Sequence, residues 1–291
     1  MDDSALVRLE TAVFNSPKYR HISPALVRRI GREELGKRPR LKEAVKATKN
    51  KLHQIGGAYL DSQPKYGRLL SQLEATTETE FLTTETKVLT QKTQFLTTCR
   101  TIMRQHSSTR ERLPILDQFY STIFADLPPI HAVLDIACGF NPLARAWMPL
   151  APHAAYTAYD IYGDMMAFLQ DGMRLMVDEA DAPAQLAIQQ DVVGQPPTKK
   201  ADIAFILKTL PVLEMVDKTA VTRLLDNIQA DYLLISFPTR SLGGRGKGMV
   251  QNYERLFAGW AAGRGWHSQR YLFDGELAFL VETGGKRTAL E

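Results

Sequence analysis

Val133-Leu134-Asp135-Ile136-Ala137-Cys138-Gly139-Phe140-Asn141-Pro142 is a short apolar run that ends in an acid and a small-residue turn. Some twenty residues later, Ala158-Tyr159-Asp160 closes a second apolar run on another acid. Parallel sheets bind nucleosides with such a pair: a tight turn at the carboxyl end of one strand, and a carboxylate at the end of the next for the ribose hydroxyls. The dinucleotide fingerprint G-x-G-x-x-G is absent, because Asp135, Ala137 and Phe140 stand where its three glycines would be.

Working outward, further apolar runs follow at 184–190, 201–207 and 231–237, and amphipathic helical patterns at 163–180 and 214–229 lie between runs. Alternation of this kind predicts a parallel sheet with crossover helices. The end of the chain breaks the pattern. Arg270 to Phe273 and Glu276 to Val281 flank Asp274-Gly275, a strong hairpin signal, so an antiparallel hairpin should finish the sheet.

Upstream, the first 125 or so residues read as helical. Ser23-Pro24 has the form of an N-cap with proline at the first helical position. A helix is expected from Leu41 toward Leu60, with Val45, Leu52 and Ile55 on one face, bent or ended by Gly56-Gly57. Thr76 to Thr98 reads as a helix pair or linker. A last helix should start at Ser107 or Ser108 and run to Phe124, with Leu127-Pro128-Pro129 closing the region. The expected organisation is a helical domain over 1–128 and an α/β domain over 129–291.

Composition limits the functional classes. The 291 residues are 44% hydrophobic, ordinary for a globular protein, and no apolar run approaches the roughly 20 residues of a membrane span. The first residues, Met1-Asp2-Asp3, lack the form of a signal peptide. With only Cys99 and Cys138, no disulfide framework is expected, and a cytoplasmic location fits. No cluster of Cys and His has metal-ligand spacing, so no metal is expected. The net charge of +4 is uneven: residues 1–70 carry 15 Lys/Arg against 7 Asp/Glu, a surplus of +8. A basic lobe on a mildly acidic body suits a polyanion, although a solvated helical face would read the same way.

Several blocks together carry a resemblance. They are Lys51-Leu52-His53-Gln54-x-x-Gly57-Ala58-Tyr59, His106-Ser107-Ser108-Thr109-Arg110-Glu111-Arg112-Leu113, Asp135-x-x-Cys138-Gly139-x-Asn141-Pro142, and Ser236-Phe237-Pro238-Thr239-x-Ser241-x-x-Gly244-Arg245-x-x-Gly248-Met249. Asp-x-Ala-x-Gly-x-Asn looks like the first motif of S-adenosylmethionine-dependent methyltransferases. Over most of its length the chain resembles the aminoglycoside-resistance methyltransferases that act on 16S ribosomal RNA at N7 of a decoding-site guanine. Where many members have glycine, this chain has Ala137. The fold implied is a Rossmann-like S-adenosylmethionine-dependent methyltransferase sheet with a C-terminal antiparallel hairpin, preceded by an all-α N-terminal domain.

For the cofactor, Ala137 and Gly139 are small enough for its methionine end to lie against the turn. Asp160 should accept from the ribose hydroxyls. The resemblance places Asp191 and Val192 beside the adenine, with Asp191 accepting from the amino group. Arg112 aligns with the arginine that the resemblance assigns to the cofactor's carboxylate, as a guanidinium fork suits; Arg110 is close enough to compete. His106, Ser107 and Ser108 should line that end, and Leu207 should form an apolar wall. Each has a plainer reading as a turn, cap, core or surface residue.

The Asn/Asp-Pro-Pro-aromatic motif of amino-group methyltransferases is absent: its place reads Leu207-Lys208-Thr209-Leu210-Pro211. Guanine N7 carries no proton and needs no general base, so no catalytic side chain is expected and positioning is the main device. Lys46, Lys49, Lys51, His53, Lys65 and Arg68 in the N-terminal lobe, and Arg240, Arg245, Lys247 and Met249 around the loop after Phe237, are candidate RNA contacts. The partner expected is 16S rRNA in the 30S subunit, with no membrane and no DNA partner. A methyltransferase acting on tRNA or a metabolite, or a silent S-adenosylmethionine-binding protein, would share the cofactor residues.

Overall fold

A computed structural model describes residues 3–57, 59–60, 63–77, 85–240 and 248–284. Seven helices come first: α1 (Asp3–Phe14), α2 (Pro24–Lys37), α3 (Leu41–Leu52), α4 (Tyr66–Thr77), α5 (Glu85–Met103), α6 (Ser107–Arg112) and α7 (Leu116–Ile123). Then come β1 (Ala132–Ile136), β2 (Ala155–Asp160), α8 (Gly163–Arg174), β3 (Gln185–Gln189), β4 (Lys200–Leu207), α9 (Leu210–Val216), α10 (Ala220–Asn227), β5 (Gln229–Pro238), α11 (Met249–Ala261), β6 (His267–Phe273) and β7 (Glu276–Glu282).

Local chemistry explains the boundaries. Ser23 caps α2, its Oγ accepting from the Leu26 N–H, with Pro24 pre-set for the first turn. After α3 the chain makes one π-helical turn over His53–Gly57 and leaves the helix at the glycine pair. The single helix expected from Ser107 to Phe124 is instead two, split by a 3₁₀ turn at Leu113–Ile115. Pro114 cannot donate the backbone bond that would continue α6. The pattern read as one helix over 214–229 is likewise α9 and α10, parted where Asp217 Oδ1 accepts from the Thr219 N–H.

The sheet order is β3-β2-β1-β4-β5-β7-β6. The first five strands are parallel, and β7 enters antiparallel between β5 and β6. The order reverses between β1 and β4, and there the carboxyl ends of the strands open a crevice, where doubly wound sheets bind ligands.

One core cluster lies on the α9–α11 side of the sheet, and the other joins α8 and the N-terminal helices to the opposite face. The larger joins Leu9, Val27, Leu52, Met103 and Phe119 to Tyr156, Phe168 and Phe205. The apolar core is therefore continuous across residue 128, the expected boundary. The second cluster packs Leu213, Leu224 and Phe257 against Ile206, Ile235 and Phe279. Among the described residues, no helix is long and apolar enough to cross a membrane, and no group of three or more His, Cys, Asp or Glu could hold a metal ion.

Candidate cofactor and acceptor clefts

The crevice is a cleft of about 790 Å³, counted to its open mouth. That lies within the range of small-molecule sites. The turn after β1 forms its floor. Ala137 and Gly139 both take left-handed backbone, with φ of 52° and 51°. For Gly139 this carries no steric penalty, and a Cβ there would meet the His106 ring at 2.7 Å. For Ala137 the left-handed conformation costs about 1–2 kcal/mol, and such strain concentrates where a ligand is held.

Asp160 ends β2 at the switch point. Its Oδ2 accepts from the Gly139 N–H at 3.0 Å and its Oδ1 from the Ile161 N–H at 2.6 Å. These bonds aim the carboxylate while leaving acceptor capacity on both oxygens. Burial raises its pKa, and the backbone N–H bonds oppose that rise. Asp160 and Ala137 line one side of the cleft; Val192, Val193 and Leu213 offer a flat apolar surface on another. A purine nucleoside with a thioether tail fits this set: a diol acceptor, an apolar slot for a base, and a turn without bulky side chains. Asp160→Ala is expected to weaken S-adenosylmethionine binding about 10- to 150-fold, the worth of one hydrogen bond to a charged group, with the melting profile retained. Isothermal titration checks it; an unchanged isotherm would place the ribose elsewhere.

His106, Ser108, Asp191 and Leu207 also line the cleft. His106 stacks on Tyr59 with ring centroids 5.7 Å apart, and its Nδ1 pairs with Ser108 Oγ at 2.9 Å. Burial, then the charges of Arg110, Lys208 and Arg112, lower its pKa to about 4. The ring is therefore neutral, and its NMR signals should not titrate between pH 8 and 5.5. In the unfolded chain it protonates near 6.5, so this group's contribution to stability is lost as pH falls from about 6.5 towards 4. A ring that titrates near 6.5 in the folded protein would contradict this burial.

Arg112 does not line the cleft. It is 1% exposed, and its fork clasps Glu276, with Nη2 2.6 Å from Oε1 and Nε 3.1 Å from both carboxylate oxygens. Its Nη1 donates to Asn141 Oδ1 at 2.9 Å, and Asn141 Nδ2 donates to Asp135 Oδ2 at 2.9 Å. The carboxylate expected on the cofactor is thus met here by the protein's own Glu276. The cation that does line this end of the cleft is Lys208, just beyond β4, with φ of 59°. Its ammonium lies 2.9 Å from Glu111 Oε2 and 3.2 Å from Glu276 Oε2.

Neither Lys208 nor Glu276 stood among the residues read from sequence. A charged residue at the carboxyl end of a parallel strand was the available signal for Lys208. Glu276 carried a fainter one, as an acid opening an otherwise apolar strand right after the hairpin turn.

A second, smaller cleft of about 600 Å³ adjoins the first. The two share Tyr59, Ser108, Lys208 and Val212. Ser107 lines only the smaller one, and its buried Oγ has no hydrogen-bond partner. Met249, Tyr253 and Arg240 stand at its rim.

The candidate RNA contacts fall into three groups. Lys46, Lys65 and Arg68 are exposed. Lys49, Lys51, His53 and Arg240 are engaged: Lys49 Nζ donates to Ser16 Oγ at 2.7 Å, and Lys51 pairs with Glu33 at 3.3 Å and Glu34 at 2.9 Å. Lys18 Nζ donates to His53 Nδ1 at 2.8 Å, and Arg240 pairs with Asp274 at 2.8 Å. Arg245 and Lys247 lie outside the described residues.

Residues 15–280 match the family model described as ribosomal RNA methyltransferase (FmrO). The chain belongs to this family. The FmrO-family chain is 36% identical over 284 residues to the 16S rRNA (guanine(1405)-N(7))-methyltransferase of Frankia casuarinae, covering 96% of this chain and 94% of the relative. The enzyme of that name from Micromonospora echinospora is 34% identical, with 94% of this chain and 96% of the relative covered. Among solved structures, the 16S rRNA methyltransferase RmtF in complex with S-adenosyl-L-homocysteine aligns with a TM-score of 0.75 at 28% identity, over 97% of this chain and 99% of that one. The FmrO family thus accounts for the fold, the helical N-terminal region and the C-terminal antiparallel strands, and S-adenosylmethionine is the cofactor its cleft suits.

Proposed function

We propose that this chain transfers the methyl group of S-adenosylmethionine to N7 of a decoding-site guanine of 16S rRNA in the 30S subunit, and so confers aminoglycoside resistance. The observation that carries the reading is the joining of the two clefts over Tyr59, Ser108, Lys208 and Val212. A base entering the smaller cleft meets the methyl end of a cofactor lying in the larger one.

Asp160 holds the ribose, Asp191 and Val192 stand at the adenine, and Ala137, Gly139 and His106 surround the methionine end. Lys208 faces the cofactor's carboxylate, while Arg112 holds Glu276 and Asn141 behind the wall. When bound, the cofactor supplies an electrophilic methyl on a sulfonium. The protein aligns N7 with it and excludes water; N7 has an in-plane lone pair and no proton, so no base is required. Asn141 is buried among Arg112, Tyr120 and Asp135, where it cannot grip an exocyclic amine. Met249 and Tyr253 are placed to pack on a flipped purine, whereas Phe140 is wholly buried and is not. Methylation leaves the purine cationic, and that charge repels a cationic drug.

Lys46, Lys65 and Arg68 are the exposed cations placed to meet phosphate, and the enzyme works where ribosomal subunits are, in the cytoplasm. Incubating the protein with methyl-tritiated S-adenosylmethionine and, separately, 30S subunits, free 16S rRNA and tRNA tests the acceptor. Label in 30S subunits is expected; label in tRNA alone would overturn the assignment.

A further inference from the structure

Asp191 is held chiefly from the N-terminal region. Arg29, on α2 of the N-terminal region, clasps it: Nε lies 2.7 Å from Oδ2 and Nη2 3.0 Å from Oδ1. The Val193 N–H adds a bond to Oδ1 at 3.3 Å. The Asp191 side chain is 4% exposed and Arg29 22%, and both line the cofactor cleft. A carboxylate has about four acceptor positions. Oδ1 has two filled and Oδ2 one, which leaves one open on Oδ2. Gly194 is next to that oxygen: a Cβ there would meet Oδ2 at 2.7 Å. The absence of a side chain at 194 keeps Oδ2 uncovered.

We propose that Arg29 is a positioning residue for cofactor recognition, fixing the Asp191 carboxylate so that the open acceptor position on Oδ2 meets the adenine amino group. This rests on the placement of Asp191 at the adenine. A bidentate guanidinium fixes the plane of a carboxylate as a lysine cannot. Without Arg29 the carboxylate loses the fork that fixes its plane and can turn towards water, which takes the open acceptor position away from the adenine. The fork belongs to a longer ionic row: Arg29 also approaches Glu33 at 3.7 Å, and Lys51 joins Glu33 to Glu34. Lys51 thus meets the acids beside Arg29, and the N-terminal region, through Leu26, Arg29, Ile55 and Tyr59, lines part of the cofactor cleft.

The test is titration of the full-length protein with S-adenosylhomocysteine and with its 6-deamino analogue, in which hydrogen replaces the adenine amino group. The wild type should prefer the amino compound about tenfold. Arg29→Ala should bring that ratio close to one while changing affinity for the deamino analogue less than about twofold. Arg29→Lys should keep part of the preference, and Gly194→Ala should lose it. If Arg29→Ala fails to fold, the last two variants decide, since each keeps a cation or the fork itself. Equal weakening of both ligands would mean that Arg29 only supports the fold, and would overturn the proposal. Asp191→Ala separates the two layers. If it keeps the preference, Asp191 is not at the adenine; if it loses the preference while Arg29→Ala keeps it, Asp191 acts without Arg29.

Discussion

Glu276→Ala is expected to lower the melting temperature by about 6–10 °C, the equivalent of about 3–5 kcal/mol at about 2 °C per kcal/mol for a chain of this size. Glu276 is 0% exposed and lies between two buried cations, Arg112 and Lys208. Burial alone would raise its pKa; the charges of Arg112 and Lys208 outweigh burial and hold it below the usual glutamate value. Removing it leaves both cations facing each other with only Glu111 near Lys208. Arg112→Met combined with Glu276→Met should lose less than the sum of the single changes, because neither charge is then stranded. Calorimetric melting of Glu276→Ala, the two Met single variants and the Met double variant decides the matter. A single-variant loss under about 1 kcal/mol would mean that solvent reaches this pair. Cofactor binding should weaken with it, since Glu276 also steadies the Lys208 ammonium at the cleft wall.

The second large effect concerns the exposed cations. Replacing Lys46, Lys65 and Arg68 together by glutamate should abolish methylation of 30S subunits and leave cofactor affinity within about twofold of wild type. None of the three lines the cofactor cleft. Lys49 and Lys51 are left out because their ammonium groups are engaged with Ser16 and with Glu33 and Glu34. Each lost phosphate contact should also flatten the salt dependence of 30S binding, by a slope of about 0.7–0.9. Binding constants at several salt concentrations measure it. Equal slopes and full methylation would reduce these residues to a solvated face.

Much of the sheet was legible because its determinants are local. Apolar runs of strand length, the acids that end them, and Asp274-Gly275 gave six strands to within two residues; β6 begins at His267, three residues before the expected Arg270, because its first residues are polar and exposed. The helix α11 carries a signal of the same kind, since Val250, Tyr253, Phe257 and Trp260 recur at helical spacing and pack on the sheet. Helix breaks at Pro114 and Asp217 were harder, because the apolar period continues across them. At the site, Ala137, Gly139 and Asp160 were readable from the strand–turn pattern; Ala137 and Asp160 line the cleft, and Gly139 sits behind them with its N–H on Asp160. Arg112 was readable as important, but its partner was not. Arg112 meets a residue 164 positions away, Arg29 one 162 away, and Lys208 one 97 away. Ion pairs at such separations leave no periodicity in a sequence, so the residues that brace the cleft emerge only from the fold.

The most direct measurement is strand scission at the modified base. Purified 30S subunits are incubated with the protein and S-adenosylmethionine, the 16S rRNA is treated with borohydride and aniline, which cleaves at N7-methylguanine, and primer extension locates the break. One new stop at a decoding-site guanine is expected, absent without S-adenosylmethionine and strongly reduced with Asp160→Ala. Methyl incorporation into 30S subunits with no aniline-sensitive guanine would contradict N7 as the acceptor.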